Sequence, residues 1–165
     1  TPCGTLFPYT TLFRSFKEPY QQEVLENAKA FARALADNGL SVAGDPSISY
    51  TETHQVLVSV GYSRGPEIAR RLEENNIICN FQAAPDEEGF SASGLLRTGV
   101  QEMTRFGMGP QELAELAGLM AEVIKHGRSV KQEVIGLRER CSEMRFCFSG
   151  PEVDGLVQRI QRAIL

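Results

Sequence analysis

The chain has 165 residues, 42% of them hydrophobic, with 17 basic against 21 acidic side chains and a formal net charge of −4. That length suits one soluble α/β domain with a buried core, and the scattered Lys and Arg leave no basic face for nucleic acid or anionic lipid. No apolar run approaches the roughly 20 residues of a membrane helix and no stretch resembles a signal peptide, which points to the cytoplasm; four cysteines without a C-x-x-C pair and two histidines suggest neither a zinc site nor a disulfide framework.

The first fifteen residues follow neither a helical nor a strand period, and Pro2 and Pro8 are expected to break any helix. Thr5 to Ser15 resembles the in-frame translation of a sequencing-library adapter, so residues 1–15 are expected to be foreign to the fold and 16–165 to form the domain. From Pro19, Tyr20, Val24, Ala28, Phe31, Ala32 and Leu35 recur at helical spacing until Asn38-Gly39. Leu40 to Ala43 is a short strand candidate, closed by Gly44-Asp45-Pro46. Gln55 to Gly61 alternates as a central strand with His54 at its entrance. Pro66 opens a helix that Asn75-Asn76 ends before a strand over Ile77 to Cys79, and Phe81 to Gly89 reads as an acidic loop.

Leu95 and Leu96 then lead into Arg97, with Gly99 two residues on at a place where a side chain would block close backbone approach. A guanidinium at such a strand can hold a small carboxylate by two parallel hydrogen bonds, which a lysine cannot reproduce; the alternative is a surface Arg paired with a Glu. Gly109-Pro110 opens a helix stopped by Gly127. Ser129 and Gln132 form a capping box for the next helix. Phe146 to Phe148 is an edge strand or a packed extended segment, and Pro151 starts a last helix with Val153, Leu156, Val157, Ile160 and Ile164 on one stripe. The sum is an α+β domain, a small, mostly antiparallel sheet of three to four strands backed by helices.

Leu96-Arg97-Thr98-Gly99-Val100, Thr104-Arg105 and Gly107 resemble the motif G-[LI]-R-[LIV]-G-T-x-x-x-T-R-x-G of the serine hydroxymethyltransferase family. Asn27-Ala28-Lys29-Ala30, Thr51-Glu52-Thr53-His54 and Asn75 to Asn80 extend the similarity to about residues 16–126. The resemblance implies the C-terminal small domain of a fold-type I pyridoxal-phosphate enzyme, homodimeric when complete, with Arg97 binding the carboxylate of glycine, serine or threonine and His54, Asn80 and Arg105 as secondary candidates. For Arg105 a structural ion pair is the favoured use. The cofactor needs a Lys for covalent attachment, an acid for its ring nitrogen and phosphate donors. None is assignable among Lys17, Lys29, Lys125 and Lys131 or the acidic loop, so no catalytic residue and no metal ligand is assigned, the cofactor domain is expected upstream, and the chain alone is expected to be inactive. Phe81-Gln82-Ala83-Ala84 departs from the family's folate-contacting segment, and one extra residue separates Gly94 from Arg97. Tetrahydrofolate use therefore stays open, as do a folate-independent threonine transaldolase or aldolase and a stand-alone binding module.

Overall fold

A computed structural model describes residues 8–89 and 91–164, with side chains described for 16–89 and 91–162. Helix α1 (Pro8–Asp37) carries Val24, Ala28, Phe31, Ala32 and Leu35 on its buried stripe. Among the described residues it runs on from Pro8 without interruption, so no break follows Pro8. Pro19 lies inside the helix instead and forfeits one i→i−4 bond. The helical backbone of residues 8–15 bears on their conformation and not on their origin, and residues 1–7 lie outside the described residues. At the other end, Gly39 takes φ +75°, letting its N–H reach Ala36 and that of Leu40 reach Leu35.

Strands β1 (Ser41–Val42), β2 (Gln55–Ser59), β3 (Asn80–Gln82) and β4 (Leu95–Gly99) form one sheet in the order β1-β2-β4-β3, every pair antiparallel. The fold class is therefore the expected one. Alternation divides its residues between two faces. Val56, Val58 and Leu96 point into the core with α1, with helix α2 (Gly65–Glu74) and with helix α4 (Pro110–Ala121), through Phe31, Leu35, Ile68, Leu72, Leu113, Ala117 and Met120. The register puts Ser41, Gln55, Leu57, Ser59, Asn80, Gln82, Arg97 and Gly99 on the other face, exposed or half-buried, together with Leu95, which is buried.

The strand expected over Ile77 to Cys79 begins instead at Asn80. Asn76 is left-handed (φ 63°) and the Ile77 N–H closes α2 on Leu72, so this backbone cannot join the ladder until it has left the helix end. Phe81 is accordingly a strand residue opposite Leu96. A short helix α3 (Gln101–Arg105), not anticipated, turns the chain off β4. Helix α4 runs on into a π turn (Glu122–His126) that Gly127 ends at φ +63°. Helix α5 (Lys131–Arg140) lacks the expected capping box: the Ser129 hydroxyl and the Val130 N–H both go to Oδ1 of Asn75, at 3.3 and 2.7 Å. Phe146 pairs with no strand; its ring lies against Phe16 and Tyr20, 6.4 and 5.2 Å between centroids. Helix α6 (Pro151–Ile164) closes the described chain.

Candidate functional site

Arg97 stands mid-way along β4, which lies between two other strands, directly opposite Leu57 of β2 and Asn80 of β3. Its side chain is exposed on the face that no helix covers. Other arginines are engaged: Arg33 on Ser49, Arg71 on Glu67, Arg140 on Glu115 and Arg145 on Glu23. The Arg97 guanidinium has no hydrogen-bond or ion-pair partner among the described residues, so its planar donor set is available to an incoming carboxylate. Asn80 stands beside it, exposed, with Oδ1 accepting from the Phe81 N–H at 2.8 Å and its amide N–H groups directed to no other described residue. Arg97 and Asn80 are thus brought together.

The other two candidates are placed elsewhere. His54 precedes β2 with its ring exposed, and its backbone carbonyl accepts from Val100 at 3.3 Å. Arg105 lies on α3, 3.4 Å from Glu102, and its backbone carbonyl accepts the Arg145 N–H at 2.6 Å. The ion pair lies within α3 itself, and it is the backbone bond to Arg145, with a guanidinium contact to the Met144 sulfur at 3.7 Å, that ties α3 to the 142–148 segment.

Two supports of the site were not anticipated. Asn27, 1% exposed on α1, donates to Thr104 Oγ1 and to the Met108 carbonyl, both at 3.0 Å, while Thr104 donates to the Val100 carbonyl at 2.9 Å. This network fixes α3, and through Val100 the end of β4, against α1. The signal was present in the sequence as a polar residue inside the apolar stripe between Val24 and Ala28. The second support is Glu87, expected to be a solvated charge: its Oε2 accepts from the Ala84 and Gly94 N–H groups, both at 2.8 Å, and folds the acidic loop onto the start of β4. The tight approach expected at Gly99 is milder than foreseen, since a Cβ there would meet only the mobile end of Gln101, at 2.5 Å. Backbone is met at Gly65, where a Cβ would lie 2.2 Å from the Ser93 carbonyl oxygen.

A cavity of about 540 Å³ lies on the helix side of β4, lined by Phe31, Met103, Met108, Leu116, Met120 and Ile135 among others. Its apolar wall does not suit a zwitterionic amino acid, and Arg97 does not reach it. Cys79, next to Asn80, has its thiol pushed up to about 11 by burial, so it is a protonated and inert neighbour near neutrality. The groups that would anchor pyridoxal phosphate are not supplied on the Arg97 face. Lys29 and Lys131 are on α1 and α5, Lys17 is on α1, and Lys125 donates to the Asn38 carbonyl at 3.1 Å. The described residues therefore fit a substrate carboxylate and do not fit the cofactor's own attachment.

The model of the family described as serine hydroxymethyltransferase matches residues 9–120. Serine hydroxymethyltransferases from Pyrobaculum aerophilum and Saccharolobus islandicus are each 42% identical to the chain, covering 85% and 81% of it. The chain spans about a third of the length of these curated relatives, 34% and 32%. Among solved structures, the L-threonine transaldolase from Pseudomonas fluorescens superposes with a TM-score of 0.76 at 24% identity, over 90% of this chain and 35% of that one, a likeness of fold. With the family model matching residues 9–120, over half of its length, the chain belongs to the serine hydroxymethyltransferase family.

Proposed function

We propose that this chain is the substrate-carboxylate-binding, C-terminal part of a pyridoxal-phosphate-dependent, cytoplasmic and homodimeric enzyme of the serine hydroxymethyltransferase type, acting on glycine and serine. The observation that carries the reading is the exposed guanidinium of Arg97, without a partner among the described residues, with Asn80 at its side. Pyridoxal phosphate, attached to residues outside this chain, would supply the electron sink for chemistry at Cα. What this chain contributes is position. Arg97 grips both carboxylate oxygens, Asn80 offers amide donors beside them, and the sheet beneath restricts the amino acid to one orientation. Residues 1–15 remain, in this reading, foreign to the domain, although the match to the family model already begins at residue 9. Family membership and the register of β4 support the assignment.

The test is Arg97→Lys in the full-length enzyme. The charge survives but the two-pronged contact does not, and losing a charge-assisted contact in a desolvated site costs about 2–4 kcal/mol, so kcat/KM for serine should fall about 30- to 1000-fold. Cofactor absorbance should stay unchanged. Turnover and amino-acid affinity within about threefold of wild type would return Arg97 to the status of a surface residue. A second reading, a folate-independent relative exchanging the side chain of threonine, is favoured by Phe81-Gln82-Ala83-Ala84. Serine cleavage that accelerates on adding tetrahydrofolate would exclude it.

A further inference from the structure

A second cleft, of about 650 Å³, lies between α2 and the π turn Glu122–His126, and neither Arg97 nor Asn80 lines it. Its walls bring together Arg64, Arg70, Arg71, Lys125 and His126 with one carboxylate, Glu74. In a chain whose net charge is −4, that is a local excess of positive charge. Part of it serves the fold. Arg71 stands in the last turn of α2, and Lys125 and His126 in the π turn, where cations answer the carbonyl end of a helix. Arg70 pairs with Glu74 and Arg71 with Glu67, both four residues apart on an exposed surface, and such contacts are weak enough to yield to a ligand.

Arg64 has no such use. It is the N-cap of α2, a position that favours Ser, Thr, Asp or Asn, and its side chain makes no cap bond. Its charge stands at the amide end of the helix, where a cation is unfavourable. The guanidinium is exposed and has no hydrogen-bond or ion-pair partner among the described residues. The backbone that carries it is nonetheless held on both sides: the Ser63 hydroxyl donates to the Ser91 carbonyl and the Gly65 N–H to the Ser93 carbonyl, each at 2.8 Å, with Ser63 left-handed at φ 60°. A cation that opposes its own helix, on a strained and anchored backbone, marks a site more than a scaffold. The other wall carries His126, exposed and likewise without a partner among the described residues, on a π turn, a rare geometry that recurs at functional sites.

We propose that this cleft binds a small polyphosphate anion, with Arg64 as its principal anchor and Lys125 and His126 facing it from the other wall. A guanidinium presents the planar pair of donors that phosphate oxygens accept, and Lys125 keeps ammonium N–H groups beyond the one given to the Asn38 carbonyl. The volume exceeds that of a single phosphate and suits a chain of two or three, free or carried by a nucleoside. The inference is independent of the enzymatic reading.

Titration calorimetry of the full chain with inorganic pyrophosphate tests it. Binding should be seen with a Kd on the order of 10–100 μM, weakening as salt rises. Arg64→Ala should weaken it about tenfold or more and Arg64→Lys should retain part of it, since the charge survives without the fork. His126→Ala, on a different element, should weaken it about threefold or more, and decides the matter if circular dichroism shows Arg64→Ala to be unfolded. Arg97→Ala should leave binding unchanged. ATP binding more tightly than pyrophosphate would assign a nucleotide, and equal affinities the phosphate chain alone. No heat of binding at millimolar pyrophosphate, a folded Arg64→Ala that binds as wild type does, or a loss confined to Arg97→Ala would overturn the proposal.

Discussion

At the scale of single residues, the side chains that hold the site together are harder to find than the one proposed to meet the substrate. Arg97 was legible because Arg, Thr and Gly at those spacings do nothing for a core. Asn27 was not: its partners, Thr104 and Met108, lie 77 and 81 positions away, and no local pattern encodes such a pairing. Asn27→Ala removes a buried donor from both, and stranding the Met108 carbonyl should cost about 1–3 kcal/mol, read as a lowered urea midpoint with unchanged slope. Thr104→Val should cost a similar amount, and the double variant less than the sum, because both changes break one network. Strict additivity would show that the two side chains act separately. Cys79 gives a pH dependence of defined sign. Its thiol titrates near 9 when unfolded and about 11 in the fold, so the folded chain holds the proton more tightly. The stability this confers is complete below pH 9 and is lost as pH rises from 9 through 11. Cys79→Ala should flatten that part of the pH–stability curve.

Elements with a strong period were recovered almost whole, among them the helix through Phe31 and Leu35, the strand at Gln55 and the one at Arg97. Two of the failures share a cause, hydrogen-bonding groups committed to something the local pattern does not show. The Ile77 N–H closes α2, and Ser129 serves Asn75 instead of capping its own helix. Pro8 misled as well, since the described helix runs on from it without a break. The extra residue before Arg97 illustrates the rule of two. A slip of the whole strand by one position would turn the guanidinium into the core; the register of β4 keeps Arg97 opposite Leu57 and Asn80, and just before the strand Glu87 holds the backbone at Gly94. Glu87→Ala should loosen that hold, seen as faster amide exchange at Ala84 and Gly94 with the global stability within about 1 kcal/mol of wild type. Removing residues 1–15 should leave the thermal midpoint unchanged or raised; a fall worth more than about 1 kcal/mol would make them part of the domain.

For the molecule as a whole, the sheet is covered by helices on one side and not on the other, and that second side carries Ser41, Gln55, Ser59, Asn80, Gln82 and Arg97 beside a half-buried Leu57 and a buried Leu95. Its edges are strands of two and three residues, too short to template another sheet. Such a body should fold alone, while lacking chemistry of its own. Incubation with pyridoxal phosphate followed by borohydride should give no lysine adduct beyond that of a denatured control, and a single adduct specific to the native chain would contradict the division of labour proposed here. The bare, hydrophilic sheet has an evolutionary corollary. A part that keeps its shape without its neighbour, and offers that neighbour one arginine on a flat polar surface, can be exchanged between related enzymes as a cassette. Chimaeras joining this chain to the upstream portion of a Pyrobaculum relative should retain fold and amino-acid binding, with mismatch confined to the residues around Arg97 and to the loop before it.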